Sequence, residues 1–395
     1  MTSAPSRPAT AVPGGLAGLA DHVAGVAEEH APRTDRDAAF PVPVLDELRR
    51  TGLLGLLVPP EHGGLGGTLR DMVDIGIRLG RADMSIAMIF VMHCQQVEAT
   101  VRYSGEPLRS ELLRRLGSGR HYLASVTTEA GKGGHLLTAH AALRRDGSHV
   151  EIDRHAPIVT GGAHADGFLI TMRGSEDGSP QAVSLVYAHR DQLSVTVSGD
   201  WQPMGMRASH SIPLRLAGRV PAHQVIGAPG SFAEISTRIF APMAHLGWSA
   251  AWLGTAAGAL SRVLRLLRGP DGRTRFDLGS ELLLTRLSRA RQRLDTVHAL
   301  LRRAEDLVCT APDISVPRHQ LLLNALKITA AEQCHRAVED LVDAVGLRHG
   351  YLKDSPTRLE LALRDLRSAA LNYSNDRLHL ADGRLALLDP EVRLA

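Results

Sequence analysis

Aromatic side chains make up only 4% of this 395-residue sequence, and cysteine occurs three times, as Cys94, Cys309 and Cys334. The cysteines are odd in number and without CxxC spacing, so they offer neither a disulfide framework nor a thiolate metal site and read as small buried apolar side chains. No metal is expected. No uninterrupted apolar stretch approaches the roughly 18 residues that a membrane-spanning helix needs. An excess of one charge is lacking too: 45 basic against 42 acidic residues leave a formal +3. That field is too weak to make nucleic acid the main partner, and the basic runs at 286–293 and 302–303 read as solvated helix faces. The opening MTSAPSRPATAVPGG has a lone Arg7, three prolines and no apolar core. It reads as a disordered tail over 1–14, not a secretory signal, and a cytoplasmic protein is expected.

Hydrophobic content of 44% and charged content of 22% are those of an ordinary globular protein. The length predicts two or three structural units sharing an interior. Apolar residues recur at helical spacing over 15–30, 42–52, 69–81, 85–103 and 106–116, with Gly52 placed to close the second segment as a C′ glycine. An N-terminal helical domain over 15–120 follows. Between 121 and 230 the pattern changes to seven short alternating runs, at 122–127, 139–145, 149–152, 167–172, 182–188, 193–197 and 212–220. They argue for a small antiparallel barrel or sandwich, and a middle β domain built as an antiparallel barrel is expected. From 231 to 395 long amphipathic stretches at 231–268, 280–309, 316–346 and 355–388 predict a C-terminal four-helix bundle. The fold class is multi-domain α+β.

Four segments carry the chemistry: VPPEHGGLGG at 58–67, TTEAGKGG at 127–134, IVTGGAHAD at 158–166 and GMRAS at 205–209. Each alone is a turn signal. In this order and at these separations they resemble the acyl-CoA dehydrogenase superfamily, from about residue 35 to the end. The resemblance implies an FAD between the β unit and the bundle, in a homodimer or homotetramer. A flavin ring needs a hydrogen-bond donor at the N5 lone pair of its oxidised state and donors along its N1 and C2 edge, where two-electron reduction puts negative charge. Thr127 and Thr128 match the family's flavin-contacting pair, and Thr160 matches the hydroxyl of its Trp-Ile-Thr element. Ile158 stands in place of the aromatic that covers one ring face, keeping apolar contact without stacking. Arg207 matches a hydrogen-bonded arginine that organises the β unit, Asp166 is expected as a turn residue, and His164 as solvent-exposed. Arg273, in RTRFD, matches the arginine that reaches the FAD pyrophosphate of a neighbouring subunit, and Gly346 stands at the partner's glycine turn near the same cofactor.

One feature of the resemblance is missing. Family members remove an α-proton with a glutamate soon after an Arg-Asp-Ala-Lys element. Here Arg364-Asp365-Leu366-Arg367 is followed by Asn372-Tyr373-Ser374-Asn375, which places Tyr373 at the base position. A phenol with a pKa of about 10 is a poor base at neutral pH. The alternative base register falls on Ala244 beside His245, and Asp376 is the nearest acid. Tyr373, His245 and Asp376 are therefore the catalytic candidates. His245 stands where an arginine helps to hold the thioester, and Gly134 and His135 replace a Ser-Asp pair. The CoA grip is thereby reduced, and a carrier-protein-bound or free small-molecule acyl substrate is expected.

Two activities follow, both suited to bacterial specialised metabolism by analogy with other Arg- and Ala-rich chains. The first is FAD-dependent oxidation of an acyl thioester or β-keto compound, where loss of CO₂ would replace the missing base. The second is a flavin monooxygenase of the same fold, using reduced flavin and O₂ with a flavin reductase partner or NAD(P)H, where the dehydrogenase would instead need an electron acceptor. A flavin-free scaffold is the non-enzymatic reading.

Overall fold

Residues 15–132 and 134–395 are described by the computed structural model, and the tail expected over 1–14 lies outside the described residues. Helices α1 (Gly15–Asp37) and α2 (Val42–Thr51) open the chain. As its sequence predicts, α2 ends at Gly52 with φ +76°, a backbone state open to glycine at little cost. Helix α3 (Leu69–Ala82) begins at a reciprocal cap: the Asp71 amide donates to Thr68 Oγ1 at 3.2 Å, and the Thr68 amide donates to Asp71 Oδ2 at 2.8 Å. Helix α4 (Met84–Tyr103) begins where Asp83 accepts the Ser85 and Ile86 amides at 2.7 and 3.2 Å. Helix α5 (Leu108–Gly117) completes the first helical part.

Among the described residues eight strands follow: β1 (Leu123–Val126), β2 (Arg144–Asp146), β3 (His149–Ala156), β4 (Gly167–Arg173), β5 (Val183–His189), β6 (Leu193–Val197), β7 (Leu214–Pro221) and β8 (Val225–Ile226). They form two open four-stranded sheets, β1-β4-β5-β8 and β2-β3-β7-β6. The expected barrel is thus corrected, since neither sheet closes. Nor is the pairing wholly antiparallel: β1 runs parallel to β4, with Leu123 opposite Gly167. The chain between those two strands passes through the other sheet, which provides the long crossover that parallel neighbours require. The run expected at 139–145 is largely irregular, because Glu129 accepts the His140 and Ala141 amides at 2.9 and 2.8 Å before they can join a ladder.

The last part comprises α6 (Phe232–Ile235), a π-helical turn over Ser236–Phe240, α7 (Ala241–Arg268), α8 (Pro270–Arg275), α9 (Glu281–Thr310), α10 (Pro317–Gly346), a second π-helical turn over Leu347–Tyr351, α11 (Leu359–Arg367) and α12 (Asn375–Ala386). The fourth long helix expected at 355–388 is therefore two helices, parted by a turn in which Tyr373 has φ +51°. Helices α3 and α7 cross in backbone contact. A Cβ on Gly254 would lie 2.2 Å from the Ile77 carbonyl oxygen, and one on Gly80 2.5 Å from that of Ala251. This crossing joins the first helices and the bundle in one hydrophobic core. Cys94 and Cys334 are buried as expected, whereas Cys309 is exposed. Among the described residues no helix is long and apolar enough to cross a membrane.

Candidate active site

The end of β1 and the loop after β3 are tied by one hydroxyl. Thr128 Oγ1 donates to the Ile158 carbonyl at 2.8 Å and accepts the Ile158 amide at 3.2 Å. Thr128 thus spends its side chain on holding Ile158. The hydroxyl of half-buried Thr127 has no partner among the described residues. Ile158, tied to the neighbouring Thr128, is 48% exposed and leaves an apolar face open.

Arg154 lies beneath them, fully buried, with Nη1 2.7 Å from Glu129 Oε2 and Nη2 donating to the Thr128 carbonyl at 2.9 Å. Burial pushes the Glu129 carboxyl up, but the His140 amide, the Arg154 charge and the Ala141 amide outweigh it and hold the pKa below the usual range. Lys132, also buried, donates to the Thr138 carbonyl at 2.9 Å, and burial with the nearby Arg154 charge lowers its pKa to about 8. Sequence reasoning missed Arg154. Its one signal was alternation: Ile152, Arg154 and Ala156 form the inward face of β3.

Thr160 sits between two backbone bonds, Val159 N to Ile212 O at 3.1 Å and Gly161 N to Ser209 O at 3.0 Å. Its own carbonyl accepts the Tyr122 hydroxyl at 3.0 Å. Gly161 has φ +60°, and a Cβ there would lie 2.8 Å from both the Phe40 ring and the Tyr122 hydroxyl. Thr160 Oγ1 is 3.0 Å from Ser211 Oγ, which is 2.8 Å from Ser209 Oγ. Arg207 donates to the carbonyls of Asp35, Pro203 and Arg36 at 2.6, 3.1 and 3.2 Å, tying the β unit to α1. Asp166 does more than turn the chain, since it accepts the Tyr122 amide at 2.8 Å and Arg49 Nη2 at 2.9 Å. His164, expected in solvent, is half-buried and stacks on Phe40 with ring centroids 4.3 Å apart.

On the bundle side, the turn between α11 and α12 is held by Lys327 of α10, which is fully buried. Its ammonium donates to the carbonyls of Ala369 and Tyr373 at 3.1 and 3.0 Å and to Asn375 Oδ1 at 2.7 Å. It also lies 5.6 Å from the centre of the Trp252 ring. Burial lowers its pKa to about 8. Tyr373 is 42% exposed. His245 is buried in α7, and burial, with the Lys327 charge, lowers its pKa to about 4 against a bond to Leu323. The imidazole is therefore neutral. Its Nδ1, Ser249 Oγ and Trp252 Nε1 are buried without hydrogen-bond partners among the described residues, spaced four and three residues apart along one face of α7. Asp376 is exposed in the first turn of α12, and Arg273 and Gly346 are exposed on α8 and at the end of α10. Lys327 carried no signal in sequence, because its partners lie 42 to 48 residues away.

Through the Thr128–Ile158 bonds the end of β1, which carries Thr127, and the loop after β3, which carries Ile158 and Thr160, are brought together. An exposed apolar side chain, with a hydroxyl of spare bonding capacity on each of the two segments, fits a flat ring with a polar rim, such as a flavin.

Helices, two sheets and a rear helical bundle in this order define the acyl-CoA dehydrogenase fold. The acyl-CoA dehydrogenase N-terminal domain matches residues 17–120. Beyond that domain the chain is similar to members of the superfamily along most of its length. It is 28% identical over 252 residues to the amino sugar nitrososynthase DnmZ of Streptomyces peucetius, a match covering 60% of each chain. It is 23% identical over 341 residues to the mitochondrial isobutyryl-CoA dehydrogenase of Dictyostelium discoideum, covering 85% of this chain and 79% of that one. Among solved structures, FMN-bound TdsC from Paenibacillus sp. A11-2, a dibenzothiophene monooxygenase, superposes with a TM-score of 0.85 at 20% identity, covering 96% of this chain and 98% of that one.

Proposed function

We propose that the chain is a flavin-dependent monooxygenase that takes reduced flavin and O₂ and oxygenates a nucleophilic nitrogen or sulfur of a small molecule. One oxygen atom goes to the substrate; the other leaves as water with two protons and the two electrons of the reduced flavin. The observation that carries this reading is the turn at 366–375. It holds no carboxylate, and its carbonyls are bound by the Lys327 ammonium. The flanking Asp365 is committed to the Met206 amide at 2.6 Å, and Asp376 is exposed. Dehydrogenation of an acyl thioester needs a base, and neither this turn nor the alternative register at Ala244 supplies a carboxylate, whereas oxygen transfer needs none. The names of DnmZ and TdsC, a nitrososynthase and a sulfur-heterocycle monooxygenase, support the same choice.

In this reading Thr127 and Thr160 hold the flavin rim and Ile158 covers one face, with Thr128 and Arg154 supporting them from behind. Arg273 and Gly346 serve the flavin of a second copy, in a homodimer or homotetramer. Exposed Leu282, Leu284, Leu347 and Tyr351 on the same part of the bundle support such burial. A cytoplasmic flavin reductase supplies the electrons.

The test is oxygen uptake by the protein with enzymatically reduced FMN or FAD and a panel of amino sugars and aromatic sulfides. Substrate-dependent consumption with an oxygenated product is expected. Anaerobic bleaching of bound oxidised flavin by an acyl thioester or β-keto acid would replace this reading with dehydrogenation.

A further inference from the structure

The hydroxyls of Thr160, Ser211 and Ser209 form a chain whose direction is fixed at one end. Ser209 Oγ lies 2.7 Å from the Met206 carbonyl oxygen, and a carbonyl can only accept, so the Ser209 proton points there. The same carbonyl also accepts Trp201 Nε1 at 3.2 Å and the Ser209 amide at 3.1 Å, which anchors this terminus. A hydroxyl has one proton to give. With its proton spent, Ser209 can only accept from Ser211 across 2.8 Å. Ser211 can then only accept from Thr160 across 3.0 Å. The Thr160 proton therefore points back into the protein, and its remaining lone pairs are what it offers outward. The backbone bonds of Val159 and Gly161 and the Tyr122 hydroxyl on the Thr160 carbonyl keep the residue from turning away.

Resting on the flavin reading above, we propose that Ser209 and Ser211 are positioning residues that make Thr160 an obligate acceptor, so that the site selects reduced over oxidised flavin. Oxidised flavin presents a bare lone pair at N5, which needs a donor. Reduced flavin carries N5–H and needs an acceptor. Sequence alone assigned Thr160 as a donor hydroxyl; the ordered chain reverses that role. Such a site suits a protein that receives flavin already reduced and gives it up once oxidised. Ser211→Ala or Ser209→Ala cuts the chain and frees the Thr160 proton to rotate outward, removing the selection while keeping the hydroxyl.

The experiment is anaerobic titration of the full chain with oxidised and with dithionite-reduced FMN and FAD, read as the ratio of the two dissociation constants. Wild-type protein is expected to favour the reduced form. S211A and S209A are each expected to lower the ratio by about three- to tenfold, the worth of one net hydrogen bond. S211T, which preserves the hydroxyl, should retain it. Thermal melting of each variant separates this effect from loss of fold, and either alanine variant that folds suffices. An unchanged ratio in a folded alanine variant would overturn the ordered chain while leaving the flavin reading intact. Failure of the wild-type protein to bind flavin in either state would overturn both.

Discussion

Lys327 donates a hydrogen bond to the carbonyl oxygen of Tyr373 at 3.0 Å, so a buried ammonium braces the turn that interrupts the last stretch of helix. All three of its protons are used, on Ala369, Tyr373 and Asn375. In Lys327→Met the side chain keeps much of its volume, but three acceptors lose their donor. A loss of about 3 kcal/mol is expected in urea unfolding. A loss below about 1 kcal/mol would show that water replaces the ammonium with little cost.

Acid should weaken the fold before it touches most carboxylates. His245 is lowered to about 4 by burial and the Lys327 charge, and His93 to about 4 by burial, with Leu54 and Leu123 bound to its ring nitrogens at 2.7 and 3.0 Å. An unfolded histidine titrates near 6.5. Between those values the unfolded chain binds protons that the folded chain refuses. The stabilising contribution is therefore whole above about pH 6.5 and declines as pH falls toward 4, by about 1.4 kcal/mol per unit for each group. In His245→Gln the stability lost between pH 7 and pH 5 should shrink by about 2 kcal/mol. Equal losses in variant and wild type would show that His245 titrates normally.

The adjacent threonines should separate stability from binding. Thr128→Val removes both bonds to the Ile158 backbone and is expected to cost about 1–2 kcal/mol in chemical denaturation. Thr127→Val removes a hydroxyl with no partner among the described residues, so the unfolding midpoint should hold while flavin affinity falls by about fivefold. The opposite pattern would exchange the roles of the two residues.

Gly161 offers a test of the loop itself. Gly161→Ala places a Cβ at φ +60° and 2.8 Å from Phe40 and Tyr122. A melting temperature lower by several degrees, about 2 kcal/mol of stability, is expected together with weaker flavin binding. An unaltered melting curve would mean that Phe40 yields freely.

Much of the helical architecture was legible because it is local. The closure of α2 at Gly52 needs only neighbouring residues, and the apolar period of α3 and α4 spans many turns. The barrel was misread because alternation reports that strands exist but not whether the last pairs with the first. The parallel partner of β1 lies about 44 residues along the chain. The stretch at 355–388 read as one helix because neither glycine nor proline marks the break at Tyr373; a lysine on another helix holds it. Thr127, Thr128, Ile158 and Thr160 stood out in the sequence through a family resemblance, and the structure shows the Thr128–Ile158 contact among them. Arg154 and Lys327 did not, since a lone charged residue in an amphipathic element reads as solvated until its tertiary partners are known.

The crossing of α3 and α7 at Gly80 and Gly254 leaves no cushion of side chains between the two helix backbones. Main chain resting on main chain has nothing to rotate or slide upon, so the front and rear helices travel as one block. The sheet side is tied differently, since its strand-linking loops hang on the hydroxyls of Thr128 and Thr160 and on the interred Arg154–Glu129 pair.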